Sequence, residues 1–174
     1  YMKTRSSRDT VYQLSGTQWI PYLYLDMGKY QMPIEYEAWY SEDAYNKNAI
    51  NYWNIPRLEE DDRYFFFTAV RQKYIQKGEN ENDCKFIIYD KKAKEGFVVK
   101  DENGMKITDD ILGGPNFWPR WSTDNFYITT MEWSDLEQWT KEEKHILSPT
   151  LQEQFETWGE DTNQLIVLCK KNNI

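Results

Sequence analysis

The sequence predicts an all-β protein, a partial β-propeller of about three four-stranded antiparallel blades with a short helical insertion near the C-terminus. Three observations carry that expectation. Aromatic residues make up 17% of the chain, including 13 Tyr and 8 Trp, and such side chains suit a pleated, half-buried surface. Short apolar runs recur between Gly, Asn-Gly and acidic turns. Several of those runs also repeat at fixed separations.

Taken in chain order, Thr10 to Leu14 reads as a strand ended by Ser15-Gly16, and Trp19 to Asp26 as its hairpin partner. Pro21 places the start of that second strand at or after itself. Residues 31–50 lack a clean period and read as an irregular insertion with a short helical turn. Ile50 to Ile55 alternates weakly, and Glu59 to Asp62 reads as an acidic turn. Arg63 to Val70 follows, its continuous aromatic run implying burial on both faces. Gly78 to Asp83 reads as a solvated loop, and Lys85 to Asp90 pairs with Gly96 to Lys100 as a hairpin. Asn103-Gly104 marks a further turn. Asn125 to Met131 is a strand. Ser134 caps one expected helix. Ser148, with Pro149 in the first turn, caps another that ends at Gly159. Leu165 to Cys169 closes the series as a buried strand.

The repeats set the architecture. Val11 to Leu14 matches Phe86 to Tyr89, and Tyr22 to Asp26 matches Phe97 to Asp101, both at one and the same offset, so the whole hairpin recurs without a gap. Asp62 to Thr68 matches Asp124 to Thr130 at a shorter offset, and Phe86 to Ile88 matches Leu165 to Val167 at a slightly longer one. Four-strand units with variable insertions are the sequence form of propeller blades. A jelly roll or sandwich is the fold that chance similarity among the strands would leave.

Composition narrows the function. A net charge of -8 argues against a nucleic-acid partner. No run of 18 apolar residues exists to form a transmembrane segment. Two cysteines, Cys84 and Cys169, and the one histidine, His145, are too few for a zinc cluster, so no metal or cofactor is expected. Both cysteines read as buried free thiols. The clusters Glu59 to Asp62, Asp109-Asp110 and Glu160-Asp161 read as solvated turn acids, because neighbours on a strand face opposite ways. Asp101 to Gly104 lacks the later ligands of a calcium loop. No catalytic residue is assigned. The strongest ligand-binding candidates are Trp118, Arg120 and Trp121, two rings and a cation around Pro119 in the loop from Gly113. Trp39 and Tyr40 in the insertion come second.

The ending Trp158-Gly159-Glu160-Asp161-Thr162-Asn163-Gln164, followed by Leu165 to Leu168, resembles the C-terminus of six-bladed β-propeller proteins common in gut Gram-negative anaerobes. Gln164 stands where that family usually has Pro. Asp9 to Leu14 with Tyr24 to Tyr30 looks like one of its internal blades, and Asp109 to Ile111 also fits. The resemblance implies that 1–174 is a single domain, the C-terminal portion of a larger propeller. It implies a periplasmic or outer-membrane-anchored protein of largely unknown function. It transfers no catalytic residue. About three blades leave two open faces with unpaired edges, so completion by the remaining blades or by a second copy is expected from the blade count. Two functions follow as expectations. One is a non-enzymatic binding or assembly module of the cell envelope, contacting protein or glycan through propeller loops. The other is a carbohydrate-active hydrolase or lyase using carboxylates from several blades.

Overall fold

A computed structural model describes residues 2–3, 9–33, 47, 51–74, 80–99, 107–109, 112–141, 146–158 and 164–171. Among them the fold is mostly β, with three antiparallel sheets and two short helices. The first sheet holds β1 (Met2–Lys3), β2 (Thr10–Ser15) and β3 (Gln18–Tyr24). The second holds β4 (Asn54–Glu60), β5 (Tyr64–Tyr74), β6 (Asn80–Asp90) and β7 (Glu95–Val98). The third holds β8 (Trp121–Ser122), β9 (Phe126–Met131) and β10 (Leu165–Lys170). Within every sheet, strands adjacent in sequence are neighbours in space. The chain divides into two compact units, Tyr1–Leu58 with Phe67–Ile87, and Glu59–Phe66 with Ile88–Ile174.

The hairpin β2–β3 turns at Gly16, whose φ of +60° favours a residue without a Cβ. Pro21 lies inside β3 and pairs with Tyr12, so the strand starts earlier than the proline implied. β3 is the edge of its sheet, where a missing N–H need cost no ladder bond, and a register shift at Val11/Tyr12 absorbs the local misfit.

Glu59 and Glu60 belong to β4 rather than to a turn. The turn is Asp61 to Arg63: the Asp61 carboxylate accepts from the Arg63 N–H (2.8 Å) and the Tyr64 N–H (2.6 Å), turning the chain into β5. Phe65, Phe66 and Phe67 are all buried, as the aromatic run implied. Residues 80–83, expected in a loop, are strand. Arg71 of β5 pairs with Asp83 of β6 at 2.9 Å, so a polar sequence is held in the ladder by opposite charges on neighbouring strands. Asp90 closes the β6–β7 turn by accepting from the N–H groups of Lys92 and Ala93, with Lys94 left-handed at φ +59°.

The helices lie between β9 and β10. The first, α1 (Trp133–Thr140), is capped by Glu132 and not by Ser134; Glu132 and Asp135 form a reciprocal capping box. The second, α2 (Pro149–Thr157), is capped by Ser148 as expected, through the Leu151 N–H at 3.3 Å. Leu136, Leu147 and Leu151 form a buried cluster flanked by Leu112, Met131, Trp139, Phe155 and Trp158. The last strand is not buried on both faces. β10 is an edge strand, and alternate residues along it turn outward to solvent.

Two of the sequence repeats are repeats of structure. β5 and β9 begin at Tyr64 and Phe126, the same offset that aligns Asp62 with Asp124. Thr123, at the position matching Asp61, closes the same turn by accepting from the Phe126 N–H at 3.0 Å. After the third strand, the Lys91 N–H donates to Arg63 O and the Lys171 N–H to Asn125 O, both at 2.8 Å. Lys91 and Lys171 are therefore equivalent, which matches Phe86 of β6 with Ile166 of β10 rather than with Leu165. The sequence match was out by a single position, and such a slip would turn every side chain to the other face. Of the irregular insertion, residues 34–46 and 48–50 lie outside the described residues, as do the Asn103-Gly104 turn, His145 and the Gly159 helix stop.

Candidate functional site

Two features of the second unit stand out: a charged knot around Asp61 and the loop that carries Trp121. The knot follows from the repeat. Lys91 and Lys171 come directly after the third strand of each repeat, and each ammonium bends back over the ring at one equivalent strand position. Lys91 lies 5.0 Å from the Phe65 centroid, and Lys171 4.6 Å from that of Tyr127. Each also reaches the residue ending the first strand of its repeat: Lys91 pairs with Glu60 at 2.8 Å, and Lys171 donates to Ser122 Oγ at 3.3 Å. Lys91 further donates to the Asp61 carbonyl.

Asp61 joins the two repeats. Its Oδ2 accepts from the Tyr127 hydroxyl at 2.5 Å and pairs with Lys171 at 3.2 Å, while Ser122 Oγ donates to Glu60 O. Burial pushes the Asp61 carboxyl up. The bonds from Tyr127, from the Tyr64 and Arg63 N–H groups and from Lys171 outweigh it and hold the group below the ordinary carboxylate range. Burial and the facing Asp61 carboxylate hold the Tyr127 phenol well above its ordinary value. With Lys171 donating to both Asp61 and Ser122, this is a clamp between repeats rather than a serine and its base. The side chains around it agree, since Phe66 meets Tyr127 and Trp118 edge-on at 5.1 and 5.7 Å.

The Trp121 loop is built rigidly. Asp109 accepts from the N–H groups of Leu112 (2.9 Å) and Gly114 (3.2 Å). Gly113 has φ +71°, and a Cβ there would lie 2.2 Å from Ile146 O; its own carbonyl accepts from Trp139 Nε1 at 2.9 Å. Ile107 and Phe117 form a two-bond bridge. Pro119 is fully buried, and the Arg120 N–H donates to Ile128 O, delivering the chain into β8.

The structure thereby separates the candidates named from the sequence. Trp118 is only 6% exposed and packs on Phe66, so its ring serves the interior. Trp121 is 51% exposed and Arg120 is exposed beside it. Trp39 and Tyr40 lie outside the described residues. The sequence alone singles out neither Tyr127 nor Lys171 and reads Asp61 as one of the solvated turn acids of Glu59 to Asp62, whereas the Asp61 side chain is 7% exposed and paired. Their signal was the lysine following each third strand, read together with the repeat that aligns Asp62 with Asp124. Among the described residues no group of three His, Cys, Asp or Glu is placed to hold a metal ion, and no helix is long and apolar enough to cross a membrane.

Sequential β-meanders with a recurring turn and a recurring capping lysine define a repetitive β-sheet protein. The chain belongs to the DUF4934 family, a domain of unknown function, matched over residues 2–170. No curated protein matches it. A solved structure of a candidate exported protein from Bacteroides fragilis NCTC 9343 shares the fold, with a TM-score of 0.56 and 14% identity. The match covers 98% of this chain and 47% of that one, so the chain spans about half the neighbour's length.

Proposed function

We infer that the chain is a non-enzymatic binding or assembly module, part of a six-bladed propeller, acting in the periplasm or anchored to the outer membrane. The observation that carries the binding role is the exposed ring of Trp121, held with Arg120 at the end of a loop fixed at Asp109, Gly113 and Pro119. A rigid aromatic with a neighbouring cation offers a flat face and a charge-assisted donor at little cost in ordering, which suits a sugar ring or a protein contact. The meander order of the strands and the clamp between repeats support the propeller reading. The titratable groups of the clamp are engaged with one another, which favours binding over catalysis.

Glycan and protein arrays run beside hydrolase and lyase assays test this reading. Binding without turnover, weakened by Trp121→Ala and Arg120→Ala, is the expected result. Turnover abolished by substituting a single Asp or Glu would overturn it.

A further inference from the structure

The carboxylates around the clamp of the second unit are engaged within it. Glu60 pairs with Lys91 at 2.8 Å, Asp61 with Lys171 at 3.2 Å and Asp90 with Arg63 at 3.0 Å. Asp109 accepts from the N–H groups of Leu112 and Gly114. The unit holds two arginines, Arg63 and Arg120. Arg63 has its carboxylate in Asp90. Arg120 is exposed, and among the described residues no carboxylate pairs with its guanidinium. In a chain of net charge -8, acids are plentiful and this fork is left open. A planar guanidinium with several N–H donors matches the two oxygens of a carboxylate or of a sulfate ester.

The half-exposed ring of Trp121 follows directly, and its backbone is fixed on both sides. Before it, Pro119 is fully buried and the Arg120 N–H donates to Ile128 O at 2.8 Å. After it, Ser122 Oγ donates to Glu60 O and accepts from Lys171. Neighbours within a strand point to opposite faces, but Arg120 precedes β8, and both side chains reach solvent. A neutral sugar would use the ring and leave the guanidinium idle. A nucleic acid would meet the repulsion of the whole chain. A protein partner covers about 800 Å² on each side, whereas the anchored features here are one ring and one cation, a site on the scale of a single sugar unit.

We propose that the ligand of this site is an acidic glycan: a pyranose that lays its C–H face on Trp121 and presents an oxyanion, the carboxylate of a uronic acid or a sulfate ester, to Arg120. This rests on the binding role proposed above and names its ligand class. Trp121 supplies stacking that any pyranose can use. Arg120 supplies the selection, because only a charged substituent engages its fork in two charge-assisted bonds. The site therefore ranks glycans by charge rather than by size.

Titration calorimetry with an oligogalacturonate, its neutral methyl ester, a sulfated galactan oligosaccharide and an oligoglutamate peptide tests it. Wild type should bind the oligogalacturonate or the sulfated galactan about tenfold to a hundredfold more tightly than the ester, the ratio of a charge-assisted bond. The tighter of the two oxyanions identifies which one the site takes. Arg120→Ala should bring that glycan down to the level of the ester. Arg120→Lys, which keeps the charge and loses the fork, should restore part of the preference. Trp121→Ala should weaken charged and neutral glycans alike, by about tenfold. Both side chains are exposed, and circular dichroism checks that the variants fold. Equal affinity for charged and neutral glycans, a preference that survives Arg120→Ala, or no binding of either oxyanionic glycan would overturn the proposal. Tighter binding of the peptide would also overturn it while leaving the binding role of Trp121 and Arg120 in place. Turnover of a glycan, lost on substituting a single Asp or Glu, would instead overturn the non-enzymatic reading.

Discussion

Asp61 and Thr123 hold the same place in successive repeats, so they provide an internal control for the clamp. Thr123→Ala removes two exposed contacts with Phe126, the bond accepted from its N–H and the bond donated to its carbonyl, a turn contribution of about 1 kcal/mol. Asp61→Ala removes the matching turn bonds and also deprives the Tyr127 hydroxyl and the Lys171 ammonium of their common acceptor. The Asp61 and Lys171 side chains are 7% and 14% exposed, so water replaces that acceptor poorly. A hydrogen bond to a charged group contributes about 1.5–3 kcal/mol, and breaking a buried pair costs about 3–5 kcal/mol. The two overlap, and Lys171 keeps Ser122, so the total is about 3–4 kcal/mol. Urea unfolding with linear extrapolation measures both variants. Asp61→Asn should fall between them, because it retains the turn acceptor and loses the charge. If Asp61→Ala costs no more than Thr123→Ala, the clamp contributes nothing and the reasoning fails.

Three further outcomes follow. The Asp61 carboxyl is depressed in the folded state, so its contribution is complete above the ordinary carboxylate value of about 4 and is lost as pH falls through the lower folded value. Wild type should therefore lose stability more steeply below about pH 4 than Asp61→Asn, and parallel acid titrations would contradict this. Gly113→Ala places a Cβ against Ile146 O at a positive φ and should lower stability by about 1–3 kcal/mol; an unchanged melting temperature would show that the loop is not held as described. Burial, with a smaller contribution from Asp109, pushes the Cys169 thiol up, so at neutral pH it should alkylate more slowly than in unfolded chain, and equal rates in mass spectrometry would refute this.

Strand positions were legible where local pattern and burial agree. The run Phe65 to Phe67 reads as doubly buried and is so, and Ser148-Pro149 starts a helix because capping is a local interaction. What the sequence hid depends on partners distant along the chain. Glu59 to Asp62 looks like a solvated acidic turn until Lys91, Tyr127 and Lys171 are brought to it from the strand ends of this repeat and the next. Trp118 and Trp121 look interchangeable in the loop. Only the meeting with Phe66 buries one of them and leaves the other outside. Pro21 misled because its cost depends on whether a strand is at an edge, and Ile166 and Leu168 read as core because an apolar strand does not declare which face is covered.

The measurement that most directly tests the assigned binding surface compares Trp118→Ala with Trp121→Ala, scoring array binding and unfolding together. Trp118→Ala should lower stability by about 3–5 kcal/mol, as for a buried tryptophan, while the folded fraction still binds. Trp121→Ala should leave stability nearly unchanged and remove binding. Full binding by Trp121→Ala to every ligand that the wild type recognises would contradict the assignment.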